Sequence, residues 1–244
     1  MGTALTEDRG LFAALNNCGF VTTARLGANE RGVADPFCFL MEASMLGVGV
    51  GFDCRGAGSA RVVAPRLAEE GCEHRIVVED CREGWVRSVR ALLEAYVRPL
   101  AVDCRSQVSS AVEPDFDYSA MRPAGAPIEG FGGRSQGAGP LRELHSGLRD
   151  VLRRAASDVG DDEEGGSLLT ARTIVDIMNL IGRCVVAGGV RRTAEIAFGQ
   201  LGSSGPGPTG VCVRTHVLCQ YTNPCAHHPP RTGRRQTRLP TSFG

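Results

Sequence analysis

Apolar residues recur at helical spacing in several stretches of this chain, and at every second place in others. Glu7 to Asn17 has a helix-like pattern that stops at two asparagines. Asp35-Pro36 opens a second helix, with Asp as N-cap and Pro at the first helical position. Phe37, Leu40, Met41 and Met45 fall on its inner face, and Gly47 ends it. Arg82 to Val97 is strongly amphipathic, with Trp85, Val89, Leu92, Leu93 and Tyr96 in one stripe and Pro99 as its stop. A helix from Pro140 carries Leu141, Leu144, Leu148, Val151 and Leu152, with His145 beside the stripe as a structural residue. Thr170 caps a helix running to about Val186, with Ile174, Ile177, Met178, Ile181 and Val185 inward. Between these lie strand-like runs: Phe20 to Ala24, Gly47 to Asp53, His74 to Glu79, Leu100 to Asp103, and Arg192 to Phe198. Helices alternating with strands predict an α/β fold with a mostly parallel sheet. Residues 106–140 read mostly as loop.

Gly47-Val48-Gly49-Val50-Gly51 places glycine at every second position. One face of that strand therefore has no side chains, and something approaches it closely. The strand–GxGxxG–helix order of a dinucleotide site is missing. Past Gly199 the apolar period ends. Ser203-Ser204-Gly205-Pro206-Gly207-Pro208 has linker composition, and the remainder is rich in Pro, His and Arg.

Formal net charge is zero, with 27 basic and 27 acidic residues, and all the basic ones are arginine. The last acidic residue is Glu195. Residues 200–244 are thus a basic tail, which fits a nucleic-acid-binding segment or a stretch foreign to the fold. No apolar run has transmembrane length and no signal peptide is evident, so a cytoplasmic protein without membrane partners is expected. The ten cysteines show no CxxC pair and are expected to be reduced thiols.

Three groups could carry chemistry. Cys18 stands at a helix-to-strand junction, where a thiol is either a small buried apolar residue or a group presented to a cavity. Arg191 and Arg192 follow Gly188-Gly189 at a helix end. They suit bidentate phosphate binding and equally suit a solvated helix C-terminus. Cys212, Cys219, Cys225, His227 and His228 are zinc-ligand types, but their spacing matches no compact zinc module, and no metal site is assigned.

Five segments, in order, resemble the adenosylcobalamin-dependent (class II) ribonucleoside-triphosphate reductases: AALNNCGFV from Ala13, MEASMLGVGVGFDCRGAG from Met41, DCREGWV from Asp80, PDFDYSAMRPAGAPIEGFGG from Pro114, and the Thr170–Ile196 stretch ending VVAGGVRRTAEI. The resemblance implies a ten-stranded α/β barrel of paired parallel half-sheets. It implies homolysis of the cobalamin carbon–cobalt bond, oxidation of a barrel cysteine to a thiyl radical, and removal of the ribose 3′-hydrogen. A cysteine pair then supplies two electrons as the 2′-hydroxyl leaves as water. Cys18 stands where the first member of that pair stands, Asn17 helps to place the ribose, and Arg191 and Arg192 belong to the nucleotide-binding region that senses a deoxynucleotide effector. The implied partners are a ribonucleoside triphosphate and a thioredoxin-like or dithiol reductant, with no nucleic acid.

The chain departs from the family pattern in length. The radical cysteine's Asn-Pro-Cys-x-Glu motif has only Asn223-Pro224-Cys225 as an echo, followed by Ala226-His227. The expectation is therefore a fragment: a partial, half barrel over residues 1–199 and a disordered, Arg/Pro-rich, non-family tail over 200–244. The alternatives are a catalytically inactive nucleotide-binding remnant and a protein that binds metal or nucleic acid through the Cys/His/Arg tail.

Overall fold

The computed structural model describes residues 16–26, 32–67, 75–100, 111–128, 134–157, 166–187 and 193–199. Most of the expected Glu7–Asn17 helix, Leu100–Asp103 past its first residue, Arg191, Arg192 and the 200–244 tail lie outside those residues.

Along the chain come β1 (Cys18–Val21), α1 (Asp35–Met45), β2 (Gly49–Asp53), β3 (Ala60–Val62), β4 (Arg75–Val77), α2 (Arg82–Tyr96), β5 (Val97–Pro99), β6 (Asp115–Asp117), α3 (Gly139–Ser157), β7 (Ser167–Leu168), α4 (Ala171–Ala187) and β8 (Glu195–Phe198). The fold is α/β, and the described strands form three separate sheets rather than one. β1, β2 and β8 make a parallel sheet in that order, with Cys18 opposite Gly49 and Val50 opposite Glu195. β3 lies between β5 and β7 and is antiparallel to both. β4 and β6 make a parallel pair. The mostly parallel expectation therefore holds for two sheets and not for the third. No closed barrel forms among the described residues.

The four amphipathic stripes build one core. Phe37, Leu40 and Met41 of α1, Val89, Leu92, Leu93 and Tyr96 of α2, Leu141, Leu144, Leu148 and Leu152 of α3, and Ile174, Ile177, Met178, Ile181 and Val185 of α4 are all buried. Each such side chain contributes about 1.5–3 kcal/mol by leaving water. α1 and α4 cover one face of the β1–β2–β8 sheet, and α3 lies along α4.

Two local expectations change. Asp35 does not cap α1: Ala34 is the N-cap position and no side chain caps it. Asp35 is the first helical residue, and its carboxylate pairs with Arg90 of α2 at 2.6 Å. Within the expected 106–140 loop, Asp115–Asp117 forms β6, because Phe116 drives inward, is 6% exposed, and stacks on His145 with ring centroids 4.1 Å apart. Thr170 does cap α4, accepting from the Thr173 amide at 3.1 Å.

Candidate functional site

The parallel sheet sorts its side chains by register. Opposed residues in parallel strands share a face, so Cys18, Phe20, Gly49, Gly51, Asp53, Ile196 and Phe198 lie on one face. The other face, with Val50, Phe52, Glu195 and Ala197, is buried under the helices. The first face is open. Phe20 and Phe198 remain 53% and 48% exposed and meet edge-to-face across Gly51, centroids 5.7 Å apart. A Cβ on Gly51 would come within 2.9 Å of the Phe198 ring, so those two rings require that glycine. Gly49 differs: a Cβ there would meet nothing closer than 3.5 Å. Nothing described in the chain itself requires a glycine at 49, and the bare strand it leaves lies directly beside Cys18.

Cys18 is an exposed free thiol at the head of β1. Asn17, also exposed, uses its backbone carbonyl to accept from the Gly49 amide at 2.9 Å, which docks that end of β1. Among the other described cysteines, Cys38, Cys54 and Cys184 are buried, and burial pushes their thiols up to about 12, 11 and 12. They stay protonated at neutral pH and are poor nucleophiles. Cys81 is exposed but accepts from the Gly84 amide at 3.3 Å as the N-cap of α2, remote in sequence from the sheet. Cys18 is therefore the one described cysteine that is both exposed and on the open sheet face.

The far end of the same sheet is a polar lock that sequence reasoning missed. Asp53, 5% exposed, closes β2. Its carboxylate accepts from the Thr23 amide (2.8 Å), the Thr22 and Thr23 hydroxyls (2.7 and 3.0 Å) and Arg55 Nε (2.8 Å). Burial opposes its charge, yet these hydrogen bonds outweigh burial and hold the carboxyl below its usual range. The signal was present in outline: two threonines end one strand and an aspartate ends its neighbour.

Two buried groups lie outside this face. His145 is fully buried between Ser88 (2.9 Å to Nε2) and Tyr118 (2.7 Å to Nδ1). Ser88 already donates to the Trp85 carbonyl at 2.8 Å, so it accepts from Nε2–H, and Nδ1 accepts from the Tyr118 hydroxyl. Burial, with Arg149 nearby, lowers the imidazole to about 3, so it is neutral and structural, as its place beside the apolar stripe predicted. Glu195, 4% exposed, points its carboxyl at Gly182 of α4, and neither oxygen has a hydrogen-bond partner. Burial alone raises it to about 8.

Arg191 and Arg192 are outside the described residues, so their geometry contributes nothing to the site. No group of three or more His, Cys, Asp or Glu side chains among the described residues could hold a metal ion. No helix among them is long and apolar enough to cross a membrane.

Residues 66–152 match the family model described as the insertion domain of B12-dependent ribonucleotide reductase. That span holds β4, α2, β5, β6 and most of α3, with the Tyr118–His145–Ser88 chain, and none of Asn17, Cys18 or Arg191–Arg192. The chain is 45% identical over 200 residues to an adenosylcobalamin-dependent ribonucleoside-triphosphate reductase of Euglena gracilis, covering 82% of this chain and 24% of that protein. It is 30% identical over 230 residues to a protein of the same name from Lactobacillus leichmannii, covering 76% of this chain and 29% of that one. A crystal structure of a B12-dependent (class II) ribonucleotide reductase superposes with a TM-score of 0.52 at 26% identity, over 75% of this chain and 29% of the other. The chain thus spans about a quarter of the length of these curated relatives. In sequence and in fold, then, the chain is similar to part of the adenosylcobalamin-dependent, class II ribonucleotide reductases.

Proposed function

We propose that this chain is part of a ribonucleotide reductase that converts ribonucleoside triphosphates to 2′-deoxyribonucleotides for DNA synthesis, and that Cys18 is one cysteine of its reducing pair. The observation that carries this reading is the setting of Cys18: an exposed thiol on the open sheet face, beside a glycine that nothing described in the chain requires. In this reading Cys18 and a second cysteine give up two electrons and two protons. The ribose 2′-hydroxyl leaves as water, and the two sulfurs end as a disulfide. A dithiol or thioredoxin-like protein returns them to thiols by exchange, which requires the disulfide to be accessible. The exposure of Cys18 suits that exchange. Asn17, whose backbone carbonyl is engaged with Gly49, leaves its exposed side chain free to orient the ribose. Adenosylcobalamin, when bound, supplies the radical that starts such chemistry. No histidine among the described residues is free to ligate its cobalt: His145, the only one there, has both ring nitrogens engaged. Among the described residues, the part proposed here is that of the thiol and the substrate face.

We further read β1–β2–β8 as strands of a partial ten-stranded barrel within residues 1–199, residues 200–244 as a tail outside the family fold, Arg191 and Arg192 as part of a deoxynucleotide effector site, and the setting as cytoplasmic. The test is anaerobic incubation of the chain with adenosylcobalamin, a ribonucleoside triphosphate and a dithiol. Where deoxynucleotide forms, Cys18→Ser should abolish it, and product unaffected by Cys18→Ser refutes the assignment. The roughly one-quarter coverage of the relatives favours a second reading, a non-catalytic nucleotide-binding remnant. Absence of product, with nucleotide binding that is lost in Arg191→Ala plus Arg192→Ala, supports that reading instead.

A further inference from the structure

β1 is four residues long and pairs with β2 alone among the described strands. A slip of one residue in strand register moves every side chain to the opposite face, and β1 has only Val21, half-buried, to anchor its covered face. For β1 such a slip would turn Cys18 from the open face to the face covered by α1 and α4. Besides the packing of Val21, two groups of contacts hold the register. At the head of β1 there is one backbone bond, Gly49 amide to Asn17 carbonyl, which any residue type supplies. At the tail there is the Asp53 cluster, which is specific to side chains.

The pairing Val21 with Phe52, continued by one position, puts Thr22 opposite Asp53. In that register Asp53 Oδ2 receives the Thr22 hydroxyl and Oδ1 receives both the amide and the hydroxyl of Thr23. The Thr23 hydroxyl also lies 3.0 Å from the Asp53 carbonyl and accepts from the Gly56 amide at 2.9 Å. Gly56 is bound to this arrangement, since a Cβ there would run into the Thr23 carbonyl and Leu26. A shift by one residue in one direction would put Val21, which has no side-chain donor, opposite the carboxylate, and a shift in the other would put Thr23 there and turn the Thr22 hydroxyl to the opposite face. Stripping a buried carboxylate of its threonine donors, with only Arg55 left to it, is costly, so the cluster discriminates between registers where the backbone does not.

We infer that Asp53, with Thr22 and Thr23, is a positioning device that fixes β1 in register on β2 and so holds Cys18 on the open face, a catalytic consequence that rests on the role proposed above for Cys18. None of the three residues touches the reacting atoms. They act through the strand.

Amide hydrogen exchange on the full chain tests this without turnover. The Gly49 amide is bonded toward β1 (Asn17 carbonyl) and the Val50 amide toward β8 (Ala194 carbonyl). Thr23→Val should speed exchange at Gly49 by roughly 10- to 150-fold, the range for losing one hydrogen bond to a charged group, while Val50 stays as in the wild type. Thr23→Ser, which keeps the hydroxyl, should restore Gly49. Thr22→Ala is the milder variant if Thr23→Val does not fold, with the same pattern expected. Unchanged exchange at Gly49, or Gly49 and Val50 accelerating together, overturns the inference. In a preparation that turns over, Thr23→Val should lower kcat and leave KM in place, with Thr23→Ser restoring kcat. If the exchange pattern appears and kcat does not fall, the register device stands and the role given to Cys18 fails.

Discussion

Glu195 gives the sharpest prediction about pH. Its carboxyl is buried against Gly182 without a hydrogen-bond partner, and burial raises it from 4.5 to about 8. Between those values the unfolded chain has released a proton that the folded chain keeps, so stability falls as pH rises. The contribution is complete below pH 4.5 and gone above about 8. His145 works in the opposite sense over a lower window. Burial lowers it from 6.5 to about 3, so its contribution is complete above 6.5 and is lost as pH falls toward 3. From pH 4.5 to 6.5 the two slopes oppose and nearly cancel. From 6.5 to 8 only Glu195 remains, worth about 2 kcal/mol at 1.36 kcal/mol per pH unit. With a urea slope near 2 kcal/mol per molar, the wild-type midpoint should drop by about 1 M between pH ~6.5 and ~8. Glu195→Gln keeps the shape and cannot ionise, so its midpoint should stay level over that range. The Gln variant's absolute stability is not the readout, because a buried amide also lacks partners at every pH. Wild-type and variant curves that run parallel from pH 6.5 to 8 would refute the reasoning.

Other outcomes follow from the same geometry. Gly182→Ala places a methyl where the Glu195 carboxyl sits, and overpacking at such a contact costs about 1–3 kcal/mol; the double variant with Glu195→Ala should recover part of that loss in denaturant titration. Thr170→Ala removes the hydroxyl that accepts from the Thr173 amide and should cost about 1 kcal/mol, with Thr170→Ser close to wild type. Timed alkylation with peptide mapping should label Cys18 and Cys81 first and Cys38, Cys54 and Cys184 only on unfolding; early labelling at Cys54 would contradict the packing of β2.

Much of the helical framework was legible in the sequence, because a stripe of Leu, Ile and Val at period 3.6 has few other uses. Leu141, Leu144, Leu148 and Leu152, like Ile174, Ile177 and Ile181, are buried as their spacing required. Strand pairing was not legible. Val97–Pro99, Ala60–Val62 and Ser167–Leu168 are too short to show a period, and their antiparallel union depends on where α2 and α3 bring the chain. β6 was hidden by loop-like neighbours, and only the inward Phe116 marks it. The span 66–152 was not distinguished from the rest of 1–199, since its helices carry stripes of the same kind. At the site, the glycine alternation pointed to close approach; that holds at 51, where Phe20 and Phe198 crowd in, and not at 49, where nothing described comes close. Glu195 alternates in its strand like any polar residue, and nothing local says that its turn faces inward. Asp35 read as a cap because Asp-Pro is a common helix start, yet Arg90, more than fifty positions on, offered its carboxylate a closer partner.

The neighbours β2 and β8 also have a kinetic meaning. The Thr193 hydroxyl donates to the Val48 carbonyl at 2.8 Å across 145 positions. Closing so long a loop costs about 2 kcal/mol more than closing one of ten residues, and pairings of that range slow folding. The α3–α4 hairpin needs no such closure, because its helices are near in sequence and lie side by side. Pulsed exchange during refolding should therefore protect amides of α3 and α4 before the Val50 amide, and simultaneous protection would contradict this order. The β8 edge of the sheet that carries Cys18 then assembles late, and a synthesis halted before Thr193 leaves β1 paired with β2 but β2 without its third strand.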